Sequence, residues 1–129
     1  MSATPAAQLI GNWIPLAADI SGRELDVAAL RVARFVIEAD SYRILDRSQQ
    51  VVDAGELHVE AGAPHSVDLN GIEGPAAGKR IQAIFELEGD RLRLCYDLEN
   101  AARPAAMQPE PDQLLLRITY ERVAARLSS

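Results

Sequence analysis

Apolar and polar residues alternate along most of this chain in short runs, the period-two pattern of strands that bury one face. The stretch "RFVIEADSYRILDRSQQVVDAGELHVEAG" divides into three such runs, Arg34–Glu38, Tyr42–Asp46 and Val51–Glu60, broken by "ADS" and "RSQQ". Alternation puts Phe35 with Ile37, Tyr42 with Ile44, and Leu57 with Val59 on shared faces. Further on, "RIQAIFELEGDRLRLCYD" predicts a hairpin: Ile81, Ala83, Phe85 and Leu87 share one face, "EGD" turns around Gly89, and Leu92, Leu94 and Tyr96 return on the same side. Ahead of it "HSVDL" predicts a short strand, followed by the glycine-rich loop "NGIEGPAAGK". A last strand is expected in "QLLLRITYERV", with Leu114, Leu116, Ile118, Tyr120 and Arg122 on one face. The proline-punctuated "LENAARPAAMQPEP" before it reads as a loop.

Helical spacing is scarce. Trp13–Ile20 begins extended, because Pro15 is tolerated at a sheet edge or a strand start. "SGREL" then turns, and "DVAALRVA" predicts one or two helical turns with Asp26 as N-cap. These elements predict an all-β fold of about eight strands: an antiparallel up-and-down barrel with one short helix between the first two strands. Closure is favoured over an open sandwich because it removes both unpaired edges. At 129 residues the chain is long enough for one core, so residues 1–129 are expected to form a single domain.

Charge and composition narrow the function classes. A net charge of −6 argues against nucleic acid, whose phosphates are bound by clustered Lys and Arg, and points any charged partner toward a basic protein. Of the 13 basic residues Lys79 is the lone lysine, a bias expected of a GC-rich genome rather than of a binding surface. No apolar run approaches the roughly 20 residues of a membrane span, and "MSATPAAQLIG" lacks a basic and an apolar leader region, so a cytoplasmic location away from membranes is expected. The lone cysteine, Cys95, fits a reducing compartment.

The candidate chemistry is thin. Gly74 to Gly78 is too short for a phosphate loop, and a strand follows where a helix is needed. His58 and His65, with Asp53, Glu56, Glu60 and Asp68 nearby, fall on different predicted elements, and no metal site is expected. Cys95 alternates with Leu94 and Tyr96, which turns its thiol outward toward a covering loop, as a small buried hydrophobe. Glu86 and Asp68 are available for acid–base work, but a lone carboxylate makes no catalytic set, so no catalytic residues and no cofactor are assigned.

Gly11 and Trp13 open the first strand as Gly-x-Trp, a signature that resembles the start of lipocalin and calycin barrels. In those barrels the indole plugs the closed end and a late arginine packs across it; Arg122 in "YERV" is the best match here, with Arg117 second. "LIGNWIPLAADISGREL", "FVIEADSYRI", "SVDL", "GPAAGKRIQAIFELEGDRLRLCYD", "ARP" and "LLLRITYERV" together resemble a small bacterial family of uncharacterised lipocalin-like domains, of the kind found in planctomycetes. The resemblance runs from Leu9 to Val123; it departs where arginine replaces the usual lysines and "AMQPEPDQ" replaces a Gly-Ser-rich approach. It implies a calycin-type barrel and carries no established activity.

The expectation is therefore a non-enzymatic domain that binds a small apolar molecule in the barrel cup. Phe35, Tyr42, Phe85, Leu94, Tyr96, Ile118 and Tyr120 are the expected lining, with polar tips among aliphatic walls. Gly11, Trp13 and Arg122 are expected to be structural residues of the closed end, and the loops "NGIEGPAAGK" and "LENAARPAAMQPEP" to frame the rim. Two alternatives remain: an acidic inhibitor or immunity-type protein that neutralises a basic partner, and a barrel isomerase or cyclase.

Overall fold

The computed structural model describes residues 5–30, 32–62, 64–74, 77–99, 103–107 and 114–123. Nine strands follow a short helix α1 (Pro5–Leu9): β1 (Gly11–Ile20), β2 (Arg23–Leu25), β3 (Arg34–Ile37), β4 (Ser41–Leu45), β5 (Val51–Glu60), β6 (His65–Glu73), β7 (Arg80–Glu88), β8 (Arg91–Asp97) and β9 (Leu115–Arg122). All pairings are antiparallel, and β1 pairs with both β3 and β9, so eight strands close into a barrel while β2 extends the end of β1. Closure fixes which face is inside. Trp13, Ala18, Phe35, Ile37, Tyr42, Leu57, Val67, Leu69, Ala83, Phe85, Leu92, Leu94, Leu116, Ile118 and Tyr120 all join one core.

The tight turns follow local chemistry. Ser21 and Gly22 both take positive φ (50° and 87°), as the two central residues of a type I′ hairpin must, and the Gly22 amide donates to Asp19 Oδ2 at 2.8 Å. Between β7 and β8 a two-residue turn places Gly89 at φ 60°, and the register runs Glu88 with Arg91, Phe85 with Leu94 and Ala83 with Tyr96. The hairpin stands as the alternation predicts.

Four details differ from the sequence pattern. The only α-helix among the described residues precedes the first strand, and the segment after β2 forms a single 3-10 turn, Val27–Ala29, whose Ala28 amide donates to the Asp26 side chain. β6 runs on through Glu73, because Gly71 pairs with Gly55 across a register shift, where a side chain on Gly55 would overlap the Asn70 carbonyl. Asn70–Glu73 is thus strand rather than loop. Leu114 lies before β9 and is exposed, so the inward set of β9 is Leu116, Ile118, Tyr120 and Arg122. Finally, Arg103–Met107 leaves the rim and crosses the outer wall; the remainder of "LENAARPAAMQPEP" beyond Leu98 and Glu99 lies outside the described residues.

That crossing segment is held by an ion pair and hydrogen bonds, and its Met107 completes a second, outer cluster with Ile84, Cys95 and Leu115. Arg103 donates to Asp68 Oδ1 at 2.6 Å and to the Ala83 carbonyl at 2.9 Å, while Arg117 donates to the Met107 carbonyl at 2.9 Å and to both oxygens of Asp19. Arg80 adds a 2.7 Å contact to Asp68. Burial alone would raise the Asp68 carboxyl, but the hydrogen bonds from Arg103 and Arg80 outweigh it and hold the group below the usual carboxylate range.

Candidate functional site

The two ends of the barrel are built differently. At the end where β1 begins, α1 lies across the opening and Leu9 enters the core. The Trp13 indole N–H donates to the Leu9 carbonyl at 2.8 Å, and the Arg122 guanidinium carbon sits 4.4 Å from the centre of its ring. Arg122 also donates to the Ile10 and Gln8 carbonyls at 2.6 and 2.7 Å, so one side chain ties the helix, the first strand and the last strand together. Gly11 is shaped for this contact: its φ is 147°, and a Cβ there would meet Arg122 Nη1 at 3.1 Å. Arg117 points outward to Asp19 instead.

Above this floor the interior is solid. Leu9, Phe35, Ile37, Leu57, Val67, Leu69, Phe85, Leu92 and Leu94 surround a residual void of only about 10 Å³, too small for any ligand. The other half of the barrel is open. A cup of about 720 Å³ lies between the ends of the strands and the β2–β3 connection, within the size range of small-molecule sites. Ile20, Leu25, Leu30, Ile44, Ile81 and Leu116 give it aliphatic walls, while Asp53, Lys79, Tyr96, Asp97 and Glu99 supply the polar groups.

The seven residues expected to line a cavity separate between these halves. Tyr96 and Ile118 line the cup, whereas Phe35, Phe85 and Leu94 belong to the packed floor. Tyr42 and Tyr120 are in the core at 1% and 2% exposure. Phe35 links them, with its ring centre 6.0 Å from that of Tyr42 and 5.5 Å from that of Tyr120.

Asp53, which the sequence offers only as a polar neighbour of His58 and His65, lines the cup. Its cross-strand neighbour is Ile44, both side chains line the cup, and β5 therefore turns Asp53, Gly55, Leu57 and Val59 inward. The signal was present, because extending the Leu57–Val59 alternation back along β5 reaches an aspartate on the buried face. Its charge is felt by the tyrosines. Burial, then Asp53, pushes the Tyr42 hydroxyl up to about 12, and the same two causes raise Tyr96. Burial, then Tyr96, raises Tyr120. All three phenols keep their protons at neutral pH. The Tyr42 hydroxyl is buried and has no hydrogen-bond partner among the described residues.

The other polar candidates face away from the cup. Asp68 is engaged by Arg80 and Arg103 on the outer wall, and Glu86 is exposed, 3.5 Å from Arg93. His58 is exposed opposite Asp68, while His65 stacks 5.2 Å from Phe85 and accepts from the Gly62 amide. No group of three or more His, Cys, Asp or Glu that could hold a metal occurs among the described residues. Cys95 is fully buried beneath Met107; burial pushes its thiol up to about 11, against the lowering effect of Arg117. A thiol in that state is a poor nucleophile.

Among the described residues, no helix is long and apolar enough to cross a membrane. The chain matches no protein-family model, no curated protein and no solved structure. The likeness that the geometry itself carries is the architecture: a closed eight-stranded antiparallel barrel, compatible with a calycin-like fold.

Proposed function

We propose that this chain is a non-enzymatic, lipocalin-like binding domain that accepts a small, largely apolar molecule in its cup. One observation carries the reading: the barrel is packed solid on the Trp13 side and open on the other, with a cavity of about 720 Å³ walled by aliphatic side chains. Burying a ligand there removes its apolar surface and that of the walls from water, at roughly 25 cal/mol for each Å² buried. The floor is supported from beneath by packed residues, so binding needs no rearrangement of the core. A catalytic reading has less support, because among the described residues that line the cup Asp53 is the inward carboxylate, the Tyr96 phenol is protonated, and no serine, threonine, cysteine or histidine stands beside them.

The test is the fluorescence of N-phenyl-1-naphthylamine, which brightens on leaving water. The wild-type protein should enhance it saturably, and Ile20→Trp, which fills the cup from its wall, should abolish the enhancement while leaving the folded circular dichroism spectrum intact. Equal enhancement by both proteins would mean that the dye binds elsewhere and that the cup is not the site.

A further inference from the structure

We infer that the cup takes a compact, ring-built hydrocarbon and not an extended alkyl chain. The inference rests on the cup being a ligand site and adds the shape class of the ligand. It follows from how few inward positions each strand leaves free above the floor. On the β7 side the lining is Lys79 and Ile81, on the β8 side Tyr96 and Leu98, and on β9 Leu116 and Ile118. The next inward residue of each, Ala83, Leu94 and Tyr120, is already buried in the core. β1 and β4 contribute Ile20 and Ile44, and Ala18 and Tyr42 below them are again core.

The cup is therefore shallow. Two successive inward positions lie two residues apart along a strand, so the walls rise about 7 Å from the lower lining residue to the upper. Leu25, Leu30 and Val32 bound the space on the side of the β2–β3 connection. A volume of about 720 Å³ held to that depth is at least as broad as it is deep, a shape that suits fused or bridged rings. An extended chain such as that of 1-decanol would outrun it, and would either fold back, losing rotamer freedom, or leave its end in water, losing apolar burial. The walls keep their shape, since Ile20, Val32, Ile44, Val52, Ile81 and Ile118 are β-branched and stiff at χ1. Charge does not override shape: Asp53 and Asp97 have interactions within the protein, and Lys79 and Glu99 are exposed at the mouth.

Displacement of N-phenyl-1-naphthylamine from the intact protein, with Ile20→Trp as the blocked control, tests this with neutral probes that carry one hydroxyl: 1-adamantanol, and the straight-chain alcohols from 1-butanol to 1-dodecanol. The cage alcohol should bind about tenfold or more tightly than 1-decanol, although the two have the same carbon count and the chain has more surface to bury. Along the straight-chain series affinity should rise up to about 1-hexanol and then level off. A deep cup would instead gain about fourfold with each added methylene through 1-dodecanol. That continued rise, or 1-decanol matching 1-adamantanol, overturns the shape assignment and leaves the cup standing. So does a dye that binds in the cup and is displaced by neither kind of alcohol. A dye that does not bind, or binds equally to Ile20→Trp, overturns the cup and the shape assignment together.

Discussion

Trp13 uses every part of its side chain, and the consequence is measurable. The ring is fully buried, its N–H is engaged by Leu9 and its face by Arg122, so its fluorescence should be blue-shifted and resist iodide. Arg122→Ala should destabilise the fold by roughly 1–2 kcal/mol in chemical denaturation, through loss of the cation–π contact and of the packed arginine stem. An unchanged midpoint would mean that the guanidinium contributes nothing to closing this end. The tyrosines make a second prediction. Because the folded protein holds all three phenols above their unfolded value near 10, their contribution to stability is complete below that pH and is lost as the pH rises through the folded values. Absorbance at 295 nm should therefore show no phenolate step near pH 10 and should rise only with alkaline unfolding. A step there would place at least one phenol in water. Trp13 and Arg122 were legible through the Gly-x-Trp resemblance, and alternation along the last strand puts Arg122 on the face of Ile118 and Tyr120. The inward facing of Asp53 is harder to see, because an acidic residue on a strand ordinarily faces outward and the bulge between β4 and β5 lies beside it.

The β7–β8 hairpin was the most legible element, since its alternation is unbroken and its two-residue turn leaves one register. Phe85→Ala should cost about 3–5 kcal/mol by opening a cavity in the solid floor, while Arg91→Ala on the exposed face should stay within about 0.5 kcal/mol. Equal costs in urea denaturation would invert the assigned faces. The segment Arg103–Met107 is the opposite case. Its position depends on Arg103 reaching Asp68, a contact across 35 residues that no local pattern encodes. Asp68→Asn should loosen it and speed labelling of Cys95 by a thiol reagent, which should be slow in the wild type because the sulfur is buried and protonated. The pH dependence follows from the depressed carboxyl: its stabilising effect is present above the unfolded value near 4 and is lost as the pH falls through the folded one. The stability difference between wild type and Asp68→Asn should thus be full at pH 7 and shrink toward pH 3. A constant difference would show that charge has no part in holding the segment.

Barrel closure was predictable because eight alternating strands with short turns leave few other ways to remove their edges, and the β1–β9 pairing completes it. How the interior divides was not, since alternation says which side chains point inward and not whether they meet. At the cup end Ile20, Ile44, Ile81, Tyr96, Leu116 and Ile118 border a gap, whereas the rings of Trp13, Phe35, Tyr42, Phe85 and Tyr120 are buried in the core. A barrel solid at one end and open at the other is the centre of the account, and a titration of the 15N-labelled protein with N-phenyl-1-naphthylamine, followed by two-dimensional NMR, tests it most directly. Amide signals from Leu25, Leu30, Ile44, Ile81, Tyr96 and Ile118 should shift together with one saturating isotherm, while the Trp13 indole signal stays in place. Shifts centred on Trp13, or confined to the outer faces of the strands, would contradict it.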